Sequence, residues 1–154
     1  TIIKMDDKMD HGPILAAEPF EIHPKETFET LANHLFGKAN DMLPEVIDAF
    51  VAGKIVPVEQ QHDKATFTKH MTKQQGTIDS ANPPDKETLD RMIRAYYPWP
   101  TVTTTLNIKG KDVKAKLLPG NKIQVEGKNP VSVKDFLNGY PETKEQLGKL
   151  HLEE

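Results

Sequence analysis

Val102-Thr103-Thr104-Thr105-Leu106-Asn107-Ile108, Lys109-Gly110-Lys111-Asp112, Val113-Lys114-Ala115-Lys116-Leu117: this run decides the fold class of the second half of the chain. Val102, Thr104, Leu106 and Ile108 alternate with Thr103, Thr105, Asn107 and Lys109, a period of two that puts alternate side chains on opposite faces of a strand. Lys109 to Asp112 has the composition of a tight turn. Val113, Ala115 and Leu117 then alternate with Lys114 and Lys116. A second turn at Pro119-Gly120-Asn121 leads to Ile123 and Val125, again alternating. The pattern predicts a compact antiparallel unit of about three strands. After it, Ser132-Val133-Lys134-Asp135-Phe136-Leu137 has a capping serine and an apolar pair, and Gly139 closes the resulting short helix. Beyond Gly139 the sequence reads as a polar tail.

Upstream, Pro98-Trp99-Pro100 stops a helix predicted over Asp85 to Tyr97, with Leu89, Met92, Ile93 and Tyr96 on one face. Tyr96, Tyr97 and Trp99 are a possible stacking platform for bases. Their place at a Pro-Trp-Pro junction favours core, fastening helix to sheet. Residues 54–84, with Pro57, the polar run Glu59-Gln60-Gln61-His62-Asp63, Gly76 and Asn82-Pro83-Pro84, have the character of a surface-crossing linker. Before it, Phe28, Leu31, Leu35, Ala39, Met42, Val46 and Phe50 step by three or four. Phe36, Leu43 and Ile47 widen that stripe, which is expected to be core. Pro24 suits the first turn of this helix and Gly53 its end. Pro44 lacks an N–H and predicts a kink or two abutting helices. The first 22 residues read as two short strands, around Ile2-Ile3 and Ile14-Leu15-Ala16-Ala17, joined by the polar loop from Asp6 to Pro13.

Composition bounds the chemistry. The 154 residues include no cysteine, which removes disulfides, thiolate metal sites and cysteine nucleophiles. No run approaches the length of a membrane span. Twenty basic against 23 acidic residues give net −3, so the chain as a whole is not a basic nucleic-acid binder. The charge is unevenly spread. Lys109, Lys111, Lys114, Lys116, Lys122, Lys128 and Lys134 face only Asp112 and Glu126 within 101–134, a local net of +5. Lys114 and Lys116 share one strand face, which suits phosphate contact, though lysines also serve simply to discourage edge pairing.

The densest polar cluster is Asp6-Asp7-Lys8-Met9-Asp10-His11-Gly12-Pro13. A carboxylate there is placed to orient a histidine or tune a proton transfer. The same residues are also ordinary turn formers, and no metal-ligand spacing is present.

Five stretches in order carry a resemblance to methionyl-tRNA formyltransferases. Met5 to Leu15 resembles that family's strand, Met-Asp-x-Gly-Pro loop and following strand. Leu31 to Phe50, with Leu43-Pro44-Glu45-Val46-Ile47, resembles the helix closing its catalytic domain. Ala65 to Asp79 resembles its linker, ending in Gly76-Thr77-Ile78-Asp79. Ile93-Arg94-Ala95-Tyr96-Tyr97-Pro98-Trp99-Pro100 resembles the signature opening its C-terminal domain, and Glu126-Gly127-Lys128 with Val131 to Gly139 its ending. The resemblance implies an α/β chain: the C-terminal remnant of a Rossmann-like formyltransferase domain over 1–53, a linker over 54–84, and a reduced OB-like antiparallel β domain over 85–154. Ser80 departs from the family's usual tryptophan, and the β domain is shorter than usual.

Carried over by resemblance, Asp10 is the catalytic aspartate. By the same resemblance the loop residues Asp6, Asp7 and Lys8 contact the folate of 10-formyltetrahydrofolate, mainly through backbone groups, Gly12 lets the backbone turn tightly beside it, and His11 is a bystander. Arg94, Lys109, Lys111, Lys114 and Lys116 are the candidate tRNA contacts. The implied activity is formylation of initiator methionyl-tRNA in a bacterial-type cytoplasm, by an enzyme that is monomeric when intact, without a metal. The family's catalytic asparagine and histidine lie on earlier strands, so the chain alone is expected to be inactive, and its opening at Thr1 inside a strand suggests a piece of a longer protein. Two other functions fit: another folate-dependent formyltransferase or hydrolase, and a non-catalytic RNA-binding module.

Overall fold

The computed structural model describes residues 1–152. The chain divides into two compact units. One comprises Thr1–Pro24 and Thr30–Lys69; the other comprises Lys25–Glu29 and the residues from His70 onward.

The first unit contains β1 (Ile2–Ile3) and β2 (Ile14–Ala16), an antiparallel pair, and most of α1 (Phe28–Val51). Val58 adds to β2: the Ile14 N–H donates to the Val58 carbonyl at 2.8 Å and the Val58 N–H to the Ile14 carbonyl at 2.9 Å. Two expectations for α1 are corrected. Of the two outcomes expected at Pro44, two abutting helices do not occur: one helix runs from Phe28 to Val51 with Pro44 inside it. The carbonyl that a residue-44 N–H would have met belongs to Asn40, which is exposed, so water can satisfy it. The apolar stripe is only half covered. Leu31, Ala39, Met42 and Phe50 are half-buried and Val46 is buried, while Phe28, Leu35, Phe36, Leu43 and Ile47 are exposed. The reason is geometric: no second layer covers that face among the described residues. Gly53 does end the helix in the left-handed region, at φ 64°.

The second unit holds the hydrophobic core. Its sheet is a linear antiparallel meander of four strands, β3 (Val102–Ile108), β4 (Lys111–Leu118), β5 (Lys122–Val125) and β6 (Val131–Ser132). The first three are those the period-two pattern predicts. The fourth, two residues long, is too short for a pattern to reveal. The Lys109-Gly110 turn has positive φ at both residues, 53° and 77°, the twist that matches a two-residue hairpin. Val102, Leu106, Ala115, Leu117 and Ile123 are essentially inaccessible to solvent, and they pack with Leu89 and Ile93 of α2 (Lys86–Ala95) and Val133 and Phe136 of α3 (Val133–Gly139). Each such aliphatic side chain contributes about 1.5–3 kcal/mol by leaving water. Asp85 caps α2 by accepting from the Thr88 N–H at 3.0 Å, and Ser132 caps α3 by accepting from the Asp135 N–H at 3.0 Å.

The expected polar tail is corrected. Pro141–Thr143 forms a single helical turn and Lys144–Lys149 forms α4. Leu147 and Leu150, three apart, are fully buried in the core, and Thr143 is buried beside them. An i, i+3 pair formed by one residue of a six-residue helix and the residue that caps it is too brief a period to stand out among charges. Trp99 also differs from expectation. It is 51 % exposed, whereas Tyr96 packs against the core. The turn that follows α2 closes through Thr101, whose N–H donates to the Tyr96 carbonyl, and this leaves the indole outside.

Candidate functional site

The Asp6–Pro13 loop joins the antiparallel strands β1 and β2, and their close approach continues past Ile3. The Lys4 N–H donates to the Pro13 carbonyl at 2.9 Å. This brings Gly12 so close to Lys4 that a Cβ at residue 12 would lie 1.8 Å from the Lys4 carbonyl oxygen. Only glycine allows that approach. Asp10 sits at φ 53°, in the left-handed region that Asn and Asp tolerate best. The Gln60 side-chain amide donates to the carbonyls of Asp10 (2.8 Å) and Gly12 (2.6 Å), on either side of His11.

Inside the loop, Asp6 is the organiser. One carboxylate oxygen accepts from the Lys8 N–H at 2.9 Å, and the other pairs with His11 Nδ1 at 2.6 Å. The hydrogen bond from His11, then that from the Lys8 backbone, holds the Asp6 carboxyl below its ordinary value. His11 in turn stacks face to face on His62, with ring centroids 3.9 Å apart and an interplanar angle of 2°. His11 is thus held in the loop by the Asp6 carboxylate on one side and the His62 ring on the other. Gln60 and His62 were missed altogether, because they lie some fifty residues away in what reads as a polar linker run. The Ile14–Val58 bridge brings that segment to the loop.

Of the residues proposed for folate, Asp6 is exposed and bonds within the loop to His11 and Lys8, and Gly12 is buried against the Lys4 carbonyl. The Asp7, Lys8 and Asp10 side chains are exposed. Among the described residues no group of three or more His, Asp or Glu is arranged to hold a metal ion, and no helix is long and apolar enough to cross a membrane.

In the second unit, Lys114 and Lys116 project from the solvent face of β4. Register places Lys116 between Thr103 and Gln124, and Lys114 beside Thr105. Thr103, Lys114, Lys116, Gln124, Glu126 and Gly127 line a shallow depression of about 210 Å³. Residues 77–80 run along the outer edge of β3: the Ile78 N–H donates to the Thr103 carbonyl at 2.9 Å, and Ser80 Oγ donates to the Thr105 carbonyl at 3.0 Å. Lys109 and Lys111 flank the first hairpin turn and are exposed. Arg94 is apart from this set. Its guanidinium donates to Asp90 (2.9 Å) and to the Glu26 carbonyl (2.8 Å), so two of its five N–H groups are already engaged.

No protein-family model matches the chain. Curated relatives do. The methionyl-tRNA formyltransferase of Roseiflexus castenholzii is 43% identical over 105 residues, which are 68% of this chain and 33% of that protein. The methionyl-tRNA formyltransferase of Koribacter versatilis is 30% identical over 178 residues, 97% of this chain and 56% of the relative. That of Blochmanniella pennsylvanica is 30% identical over 178 residues, 92% of this chain and 55% of the relative. These alignments exceed the 154 residues of the chain, so the relatives carry residues with no counterpart here. The chain spans about a third to just over half the length of such relatives. Among solved structures, a HypX variant from Aquifex aeolicus shares the fold, with a TM-score of 0.59 at 13% identity, over 88% of this chain and 30% of that one. With its order of motifs, its mixed α/β structure and its four-stranded antiparallel sheet, the chain is related over most of its length to the C-terminal portion of the methionyl-tRNA formyltransferases.

Proposed function

We propose that the chain serves formylation of initiator methionyl-tRNA in the cytoplasm, taking the formyl group from 10-formyltetrahydrofolate. The first unit supplies part of the formyl-transfer centre and the second unit grips the tRNA. The observation that carries this reading is the loop held by Gln60, with Asp10 exposed at its tip in a left-handed backbone conformation. In that place Asp10 positions a histidine and a water contributed by the rest of the domain. Bound there, the folate would supply an activated formyl carbon for attack by the amine of methionyl-tRNA. The exposed side chains of Asp7 and Lys8 are the groups of the loop open to it. Asp6 acts one step back, by fixing His11 and the Lys8 backbone, and Gly12 by permitting the close approach of the strands.

On the second unit, Lys109, Lys111, Lys114 and Lys116 track tRNA phosphates, and Arg94 joins only through the N–H groups its protein partners leave over. The relatives' names support the acceptor. By itself the 154-residue chain is inert, because only one member of the catalytic trio has a counterpart in it.

The test joins the chain to the part of the Roseiflexus castenholzii relative that has no counterpart here. The fused protein is then offered methionyl-tRNA, water or a nucleotide sugar as formyl acceptor. Transfer to methionyl-tRNA is expected. Preferential hydrolysis or sugar formylation would replace this reading with that of another folate enzyme, and a folded but inert fusion would leave an RNA-binding module.

A further inference from the structure

Two lysines from separate turns converge on one tyrosine. Lys109, at the tip of the β3–β4 hairpin, places its ammonium 6.0 Å from the centroid of the Tyr140 ring. Lys128, from the turn after β5, places its own at 5.2 Å and donates a hydrogen bond to the Tyr140 hydroxyl. Both turns are pinned by a glutamine. Gln146 of α4 accepts from the Asn107 N–H at 2.8 Å and donates to the Asn107 carbonyl at 3.0 Å, while the Asn107 side chain accepts from the Gly110 N–H at 3.1 Å. Gln124 donates to the Lys128 carbonyl at 2.9 Å, and Gly127 turns the chain there at φ 76°. The tyrosine is equally fixed. Its N–H donates to the Phe136 carbonyl, its carbonyl accepts from both the N–H and the hydroxyl of Thr143, and its ring lies 4.9 Å from that of Phe136.

Neither ammonium has a carboxylate partner among the described residues. The Lys128 ammonium sits beyond the hydroxyl, at the edge of the ring, while the Lys109 ammonium lies 6.0 Å from the ring centroid. The arrangement thus presents two cations and a phenol hydroxyl on fixed backbone mounts, with no carboxylate within 4 Å of either ammonium among the described residues. That is a set of donors suited to a group with several anionic oxygens.

We propose that Lys109, Lys128 and Tyr140 form a phosphate clamp, distinct from the Lys114–Lys116 sheet face, that takes a backbone phosphate of bound RNA. The proposal deepens the RNA reading above, and free phosphate allows it to be judged separately. The test uses the full 154-residue chain and the exposed-residue variants K109Q and K128Q, with Y140F, which keeps the ring and removes the hydroxyl. In the first arm, inorganic phosphate is titrated while the Tyr140 ring and lysine ammonium resonances are followed by NMR, with chloride at equal ionic strength as reference. Phosphate-specific shifts that K109Q and K128Q abolish and Y140F weakens are expected. Shifts identical to those in chloride would overturn the clamp, whatever RNA does.

In the second arm, tRNA affinity is measured against salt. Each lysine variant should lower affinity several-fold and reduce the slope of log K against log salt by about 0.7–0.9. Unchanged slopes in K109Q and K128Q, with loss in K114Q/K116Q, would sink the clamp as an RNA contact while leaving the sheet face standing. The opposite pattern would retain the clamp and remove the sheet face. If tRNA does not bind at all, the RNA reading and the clamp's RNA role both fail.

Discussion

Replacing Gly12 by alanine places a methyl 1.8 Å from the Lys4 carbonyl oxygen, 2.9 Å from the Lys4 carbonyl carbon and 3.5 Å from the Asp6 nitrogen. All three are backbone atoms, so no side chain can swing away and the strands themselves must part. Overpacking of this kind costs about 1–3 kcal/mol. Parting also threatens the bond from the Lys4 N–H to the Pro13 carbonyl and that from Gln60 to the Gly12 carbonyl, each worth about 1 kcal/mol net. The expected cost is therefore about 2–4 kcal/mol, set against a unit in which Val46 is the one buried apolar residue of the described core. Local opening should absorb it. The amide of Lys4 would lose exchange protection, and the ring shifts of His11 and His62 that report their stack would move toward free-imidazole values. Gly37 is the control. It lies inside α1 with nothing within 4 Å of an added Cβ, so Gly37→Ala should stabilise by about 0.5–1 kcal/mol. Gly12→Ala with Lys4 protection and His11 shifts unchanged would refute the close approach as described.

Other expectations concern the second unit and the loop. Leu147→Ala empties a fully buried position in α4 and should cost about 2–5 kcal/mol, read as a large drop in the thermal midpoint followed by circular dichroism, whereas a polar tail would show no effect. Thr104→Val replaces a buried hydroxyl that has no hydrogen-bond partner, so urea denaturation should show a gain of about 1 kcal/mol. The Asp6 carboxyl is held below its ordinary value, so its contribution to the loop is fully present above the usual aspartate range, about pH 4, and is lost as pH falls through the lowered value. Exchange protection in the loop should fall across that acidic window in the natural chain, and Asp6→Asn should remove this component and leave only what other carboxylates contribute.

How much of this was legible in the sequence depended on the length and locality of each signal. Strands β3 and β4 were visible because seven- and eight-residue alternations flanked by turn residues admit few other conformations, and the four residues of β5 continue the alternation after the Pro119-Gly120-Asn121 turn. The Ser132 cap was visible because its partner, the Asp135 N–H, is three residues away. β6 and α4 were not, since two strand residues and a single buried i, i+3 pair carry too little period. The stripe of α1 was seen correctly as helical, but which half of it would be covered depends on what packs there, and periodicity is silent on that. The loop's residues were singled out from their composition. Its supports, Gln60 and His62, were not, since polar side chains fifty positions distant acquire a role only through tertiary pairing. Trp99 illustrates the same limit, because its burial was inferred from residue type while the turn closed by Thr101 decided its direction.

The most direct measurement is the single-turnover rate of formyl transfer to methionyl-tRNA by the fused protein, with Asp10 and with Asp10→Asn. If Asp10 orients the transfer centre, the asparagine variant should bind 10-formyltetrahydrofolate within about twofold of the parent and lose on the order of 10²–10⁴ in rate, the range for loss of a positioned acid–base group. A folded Asp10→Asn protein that transfers formyl at the parental rate would contradict the assignment of this loop to the chemistry.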